Sequence, residues 1–380
     1  MINNVTMGIK WAISKYRTNE RDERITHYPM CALTLVSITA RMFYLIAIDA
    51  LETENSGWLA ALIGAALTLP AIAGAYFLMK KNNASIEKGA VKAIGNAGFR
   101  VLCLILALAL TYETSALITI LTSSGAYATL YNMHKLLLLV PTSLAVLYAC
   151  AKGGNGVGGA AEMWIRIYLI LYAMILFLEY DTMNANNIFP ILGPGAQKLL
   201  KSALSIMMYY SLIPVSFLLE SGYSVKGHKR KKNIKAESIL FVFALCVIVS
   251  VLVLMIHSMM YPSLSPLFES RSSGMDLMLS NGRSNRTVQL PILIIWFSSL
   301  ALSACYMLFC AGKLMNRALE ERGYKCMFLM GLVAMIIALF RLSGQERAVA
   351  FSAWFGPLLS AAFFILSLIY LVRTKGAKEK

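Results

Sequence analysis

Apolar residues in this chain come in long blocks separated by short polar stretches, not at the two-residue alternation of a half-buried strand. Each block is near 20 residues, the length a helix needs to cross a hydrocarbon layer roughly 30 Å thick. The pattern predicts helices near Tyr28–Ile48, Gly57–Met79, Gly98–Ser124, His134–Cys150, Gly158–Leu178, Gln197–Glu220, Ala236–Tyr261, Gln289–Gly312, Lys325–Leu342 and Ala350–Val372. The weakest is Lys325–Leu342. Length therefore counts membrane spans, not soluble domains.

Charge orients these spans. Assigning alternate loops to the two sides gathers most Lys and Arg on the side of both termini, including Lys80, Lys81, Lys88 and the run from Lys226 to Lys235. Positive residues stay in the cytoplasm. An odd number of spans would put Arg373, Lys375, Lys378 and Lys380 outside, so the charge pattern expects ten, with both termini cytoplasmic. Residues 1–27 are polar and lack the apolar stretch and small-residue cleavage site of a secretory signal, so the first span itself is expected to direct insertion. The expected organisation is a cytoplasmic segment 1–27, one transmembrane domain 28–372 and a cytoplasmic tail 373–380.

Composition agrees: 58% of the 380 residues are hydrophobic and 14% charged, with a mean hydropathy of +0.65. A formal charge of +16 would suit nucleic acid if it formed one surface, but it lies in short clusters between spans, where it faces anionic lipid headgroups. The seven cysteines sit in or beside apolar runs without C-x-x-C spacing or a nearby His, as small core hydrophobes do. The sequence has no P-loop, no G-x-S-x-G and no H-E-x-x-H, and no cofactor, metal or catalytic centre is expected. The cluster Val225–Lys235 reads as a topology anchor or as a site for acidic lipid or a cytoplasmic partner, and Pro262–Val288 as a long external loop.

Ionisable residues within spans carry the functional information, because a charge in the hydrocarbon layer must face a cavity or a partner. Glu113 stands mid-span in Tyr112-Glu113-Thr114-Ser115, as a functional carboxyl or as a structural one bonded between helices. Arg41, in the first span, either pairs with Glu113, meets an anionic ligand group, or snorkels to the outer interface. Glu162 and Arg166, one turn apart, read as a local helical pair, and Arg341 as interfacial. In the sixth span, Tyr209-Tyr210-Ser211-Leu212-Ile213-Pro214 sets hydroxyls beside a proline that removes a backbone donor. The helix is expected to kink or unwind there and to offer carbonyls and hydroxyls to a small polar ligand, as discontinuous transporter helices do.

The ordered set Ser56-Gly57-Trp58, Glu113-Thr114, Asn187-Ile188-Phe189-Pro190-Ile191-Leu192-Gly193-Pro194-Gly195, Glu220 before a basic loop, and Trp296 resembles the B-subunit family of spore germinant receptors. These are endospore germination permeases of the amino acid–polyamine–organocation superfamily. The resemblance covers nearly the whole chain. It implies an all-α, LeuT-like fold of two inverted five-helix repeats, about 28–178 and 197–372, with spans one and six broken around a midplane site. It also implies A- and C-type receptor subunits as partners in the spore inner membrane or the cytoplasmic membrane of a spore former. By position, the site would take Ser37, Thr39 and Ala40, with Arg41 beside them, then Tyr112 and Glu113, and Tyr209, Tyr210, Ser211 and Pro214. The sequence departs from the family at Ser37–Arg41, which has no glycine, and at Thr287 and Gln289, where Arg and Glu are expected. Three functions follow: a receptor subunit that senses an amino acid or similar small nutrient, a proton-coupled amino-acid permease using Glu113, or a non-transporting scaffold.

Overall fold

The computed structural model describes residues 27–48, 54–82, 85–129, 135–178, 180–189, 195–221, 236–260, 286–321, 325–341 and 346–376. The side chain of Arg41, the basic stretch after the sixth span, the long loop before the eighth and the terminal segments lie outside them.

Among the described residues every regular element is helical. Ten long helices are α1 (His27–Ile48), α2 (Gly57–Lys81), α3 (Ile86–Thr129), α4 (Lys135–Ala151), α5 (Gly153–Leu178), α6 (Ala196–Ser221), α7 (Glu237–Met260), α8 (Arg286–Leu319), α9 (Lys325–Arg341) and α10 (Glu346–Gly376). Each coincides with one apolar block. In lipid an unpaired backbone group is costly, so an apolar run closes its hydrogen bonds internally. Seven of the ten satisfy length and hydropathy on their own. α4 and α9 have 17 residues each, about 25 Å at 1.5 Å per residue, slightly under a full hydrocarbon width.

The packing is related by exchange of the two halves of the chain. α1 packs on α5, α7 and α8, and α6, five helices on, packs on α10, α2 and α3. Likewise α3 packs on α4, α9 and α10, and α8 on α9, α4 and α5. An odd number of helices per half makes the second run opposite to the first, so this is an inverted repeat. Small residues let helices approach where hydrophobicity alone gives no drive. A Cβ on Gly64 of α2 would lie 2.7 Å from the Ala203 carbonyl oxygen, and one on Gly356 of α10 would lie 2.6 Å from the Met208 nitrogen. α6 is thus clasped from both sides at glycines.

At one end of the bundle the connections tie together. Asn184 N–H and Asn187 Nδ2 both donate to the Met259 carbonyl of α7, at 3.1 and 3.0 Å. Ser258 Oγ donates to the Asn55 carbonyl at 3.2 Å. At the other end, Arg317 of α8 donates to the Leu218 and Leu219 carbonyls of α6 at 3.1 and 3.3 Å and lies 3.3 Å from the Glu87 carboxylate of α3. These carbonyls are in the last turn, where α6 has no internal donor for them. Arg100 and Glu320 pair beside them.

The expected unwinding of the first and sixth spans is not found among the described residues. α1 runs through Ser37–Arg41, and α6 through Ser211–Pro214, as continuous helices. Without glycine, Ser37–Arg41 gains nothing by leaving helical geometry, and Thr39 Oγ1 donates to the Leu35 carbonyl at 2.9 Å. Around Pro214 the flanking hydroxyls turn back on their own helix, Ser211 to Met207 at 2.8 Å and Ser216 to Leu212 at 2.9 Å. Unwinding would free more backbone groups than the one donor proline removes.

Candidate functional site

The helices that enclose the site meet through hydroxyls. Ser216 of α6 accepts a hydrogen bond from the Tyr306 hydroxyl of α8, and Thr34 Oγ1 of α1 lies 3.4 Å from Ser216 Oγ. All three residues are buried, so a polar tie joins three helices inside the bundle.

One turn from this tie stand Ser37 on α1 and Ser303 on α8, two buried hydroxyls without a hydrogen-bond partner among the described residues. α1 and α8 pack together and run antiparallel, an odd-numbered and an even-numbered helix. Moving forward from Thr34 and backward from Tyr306 therefore leads to the same side of the tie. Buried polar groups in folded proteins are normally paired. Ser37 and Ser303 thus stand on facing helices beside the tie. On α6, Tyr209 lies seven residues before Ser216, about two turns, and so shares its face.

Glu113 is 1% exposed. Its neighbours two residues away on either side face α9: Thr111 Oγ1 donates to Met330 Sδ at 3.1 Å, and Ser115 Oγ accepts from Arg341 Nη1 at 3.3 Å. Two residues along a helix rotate a side chain by about 200°. Glu113 therefore points away from α9, into the bundle. Its expected relation to Arg41 lies outside the described side chains.

The remaining expected residues divide. Ser37, Thr39 and Ala40 are buried on α1, but the Thr39 hydroxyl serves its own helix. Tyr210 stacks edge-on against Phe243 of α7, ring centroids 5.7 Å apart, and Ser211 hydrogen-bonds Ser360 of α10. Neither lies on the face of α6 that carries Ser216; Pro214 stands inside the helix, where the Tyr210 carbonyl lacks its usual backbone donor. Tyr112 lies under the Arg341 guanidinium on the α9 side. Arg341 is 8% exposed, its side chain packed against Tyr112 and Ser115 of α3. Glu162 and Arg166 form no ion pair: Arg166 is exposed, where holding two long side chains together gains little. The reading of the sequence missed Thr34, Ser216, Ser303 and Tyr306 as site residues. The available signal was hydroxyls three residues apart, Thr34 with Ser37 and Ser303 with Tyr306, within two predicted spans.

A ten-helix inverted repeat with a polar centre between its first and sixth helices defines the class: an integral membrane protein of the LeuT-like transporter fold. Crystal structures of an Eremococcus coleocola manganese transporter share it. One, of a mutant, has a TM-score of 0.60 at 15% identity, covering 90% of this chain and 77% of that one. Another, in complex with an aromatic bis-isothiourea substituted compound, has 0.57 at 15% identity, with the same coverage. No curated protein sequence matches significantly. The profile of the spore germination protein family, the spore permeases, matches residues 26–268, and the chain belongs to that family.

Proposed function

We propose that this chain is the transporter-like B-type subunit of a spore germinant receptor, which holds an amino acid or similar small nutrient between α1, α3, α6 and α8 and passes the signal to A- and C-type partner subunits. Both termini are cytoplasmic in this reading, and the membrane is the spore inner membrane or the cytoplasmic membrane of a spore former. The observation that carries the reading is the pair of buried, unpartnered hydroxyls of Ser37 and Ser303 beside the Thr34–Ser216–Tyr306 tie. A ligand bonded to both would favour one relative placement of α1 and α8, and it shifts the helix equilibrium only by its difference in affinity for the two arrangements. Family membership and the transporter fold support a role in germination and a small-molecule site.

The test is saturable binding of labelled amino acids to the purified chain in proteoliposomes, with empty vesicles as control. Ser37→Ala and Ser303→Ala each lose one hydrogen bond, worth about 0.5–1.5 kcal/mol, and should weaken binding roughly 2- to 13-fold. Binding unchanged in both variants would move the site elsewhere. Absence of binding in the parent chain would favour the scaffold, a reading that the unbroken α1 and α6 support.

A second reading, the proton-coupled permease, rests on the burial of Glu113 and its direction into the bundle. It expects counterflow that depends on pH in the parent chain and loses that dependence in Glu113→Gln. Transport with the same pH profile in both would remove the carrier role of Glu113.

A further inference from the structure

α9 ends in a charge that no carboxylate pairs among the described residues. Arg341 is 8% exposed, and a guanidinium stays protonated in proteins. Nη1 donates to the Tyr112 carbonyl and to Ser115 Oγ, each at 3.3 Å, and the guanidinium carbon stands 3.8 Å from the centroid of the Tyr112 ring. Both acceptors are neutral. Nη2 is buried without any acceptor, and among the described residues no carboxylate forms an ion pair with Arg341. Glu113, the nearby acid in sequence, is rotated to the opposite face of α3 by the geometry above.

A buried cation normally has an opposite charge against it. Here the fixed part of such a cradle is present: an aromatic ring against the guanidinium, two acceptors that occupy one nitrogen, and a second nitrogen left as an open donor. The guanidinium fork matches a carboxylate and also serves a compact inorganic anion. We propose that Arg341, supported by Tyr112 and Ser115, forms a binding site for a small monoanion, a carboxylate or a halide, between α3 and α9. This site lies on a different face of α3 from Glu113, and α9 makes its main contacts with α3, α4 and α8 rather than with α1 or α6. It does not depend on the nutrient reading above. Its occupant also bears on the same segment of α3, because Tyr112 and Glu113 are consecutive residues on different faces.

The test is thermal unfolding of the full chain in detergent, titrated with sodium acetate or with sodium chloride from an anion-poor zwitterionic buffer. The parent chain should gain stability saturably with at least one of them, acetate identifying a carboxylate site and chloride a halide site. Arg341→Gln keeps the general response to ionic strength and should lose the saturable part. A parent chain that shows no saturable gain with either anion overturns the proposal, as does an equal gain in Arg341→Gln. If Arg341→Gln does not fold, Arg341→Lys decides: it keeps the charge but not the fork, and should need roughly tenfold more anion for half the effect. An unshifted half-point in Arg341→Lys would equally refute the site.

Discussion

Replacing Gly356 by Ala tests whether close approach at glycine is what holds α6 in place. The added Cβ would lie 2.6, 2.7 and 2.8 Å from the nitrogen, Cα and Cβ of Met208. Carbon atoms in favourable contact sit about 3.5–4.0 Å apart, so α6 and α10 must separate by about 1 Å. The obstructing atoms belong mostly to backbone and cannot rotate away. Overpacking of this kind costs about 1–3 kcal/mol. Separation also strains the Ser211–Ser360 hydrogen bond one turn along, whose loss adds about 0.5–1.5 kcal/mol. The sum, about 1.5–4.5 kcal/mol, lowers the folded-to-unfolded ratio roughly 13- to 2,000-fold. Gly159→Ala is the control, because a Cβ there meets nothing within 4 Å and helix propensity favours Ala by up to about 1 kcal/mol. Chemical unfolding of the two variants in mixed micelles measures the difference. Equal stability of Gly356→Ala and Gly159→Ala would refute the argument that the α6–α10 contact is set by the missing side chain.

The bend within α3 rests on Gly95, at φ 79° and ψ 171°, a region that only glycine enters easily. Nothing lies within 4 Å of an added Cβ, so Gly95→Ala should lose about 1–3 kcal/mol through backbone strain alone, read as a lower unfolding midpoint; an unchanged midpoint would show that the bend does not need glycine. Arg317→Gln removes two charge-assisted bonds to the last turn of α6 and the pairing with Glu87. It should cost about 1–3 kcal/mol after allowance for partial exposure and should raise hydrogen exchange in the last turn of α6, measured by mass spectrometry. Exchange unaltered at Leu218 and Leu219 would mean that Arg317 does not cap the helix.

Much of the architecture was legible in the chain itself. Ten apolar blocks became ten helices, because a backbone in hydrocarbon has little alternative to internal hydrogen bonding. Even Lys325–Leu342, the weakest block, forms α9. The even count and the charge pattern were likewise available as composition and spacing, and the family motifs were present as residues. Glu113 stood out because a carboxyl in an apolar run demands explanation, and it is indeed buried.

The face on which each polar side chain lies was not legible. In a soluble protein an apolar stripe points to the core, but in lipid the outward face is as apolar as the inward one, so hydropathy leaves helix rotation open. That is why Tyr210 and Ser211, adjacent to Tyr209 in sequence, turn to α7 and α10, while Ser216 reaches α1 and α8. It is also why the packing of Arg341 against Tyr112 was not legible from its place at the end of a span. Pro214 lacks a donor wherever it stands, yet whether its helix opens depends on the bonds that neighbouring side chains and helices return to it. Sequence alone thus determined the spans and the kinds of group available to the membrane interior. Only the tertiary structure decided which of those groups meet, because helix rotation and contact are set by packing between helices far apart in the chain.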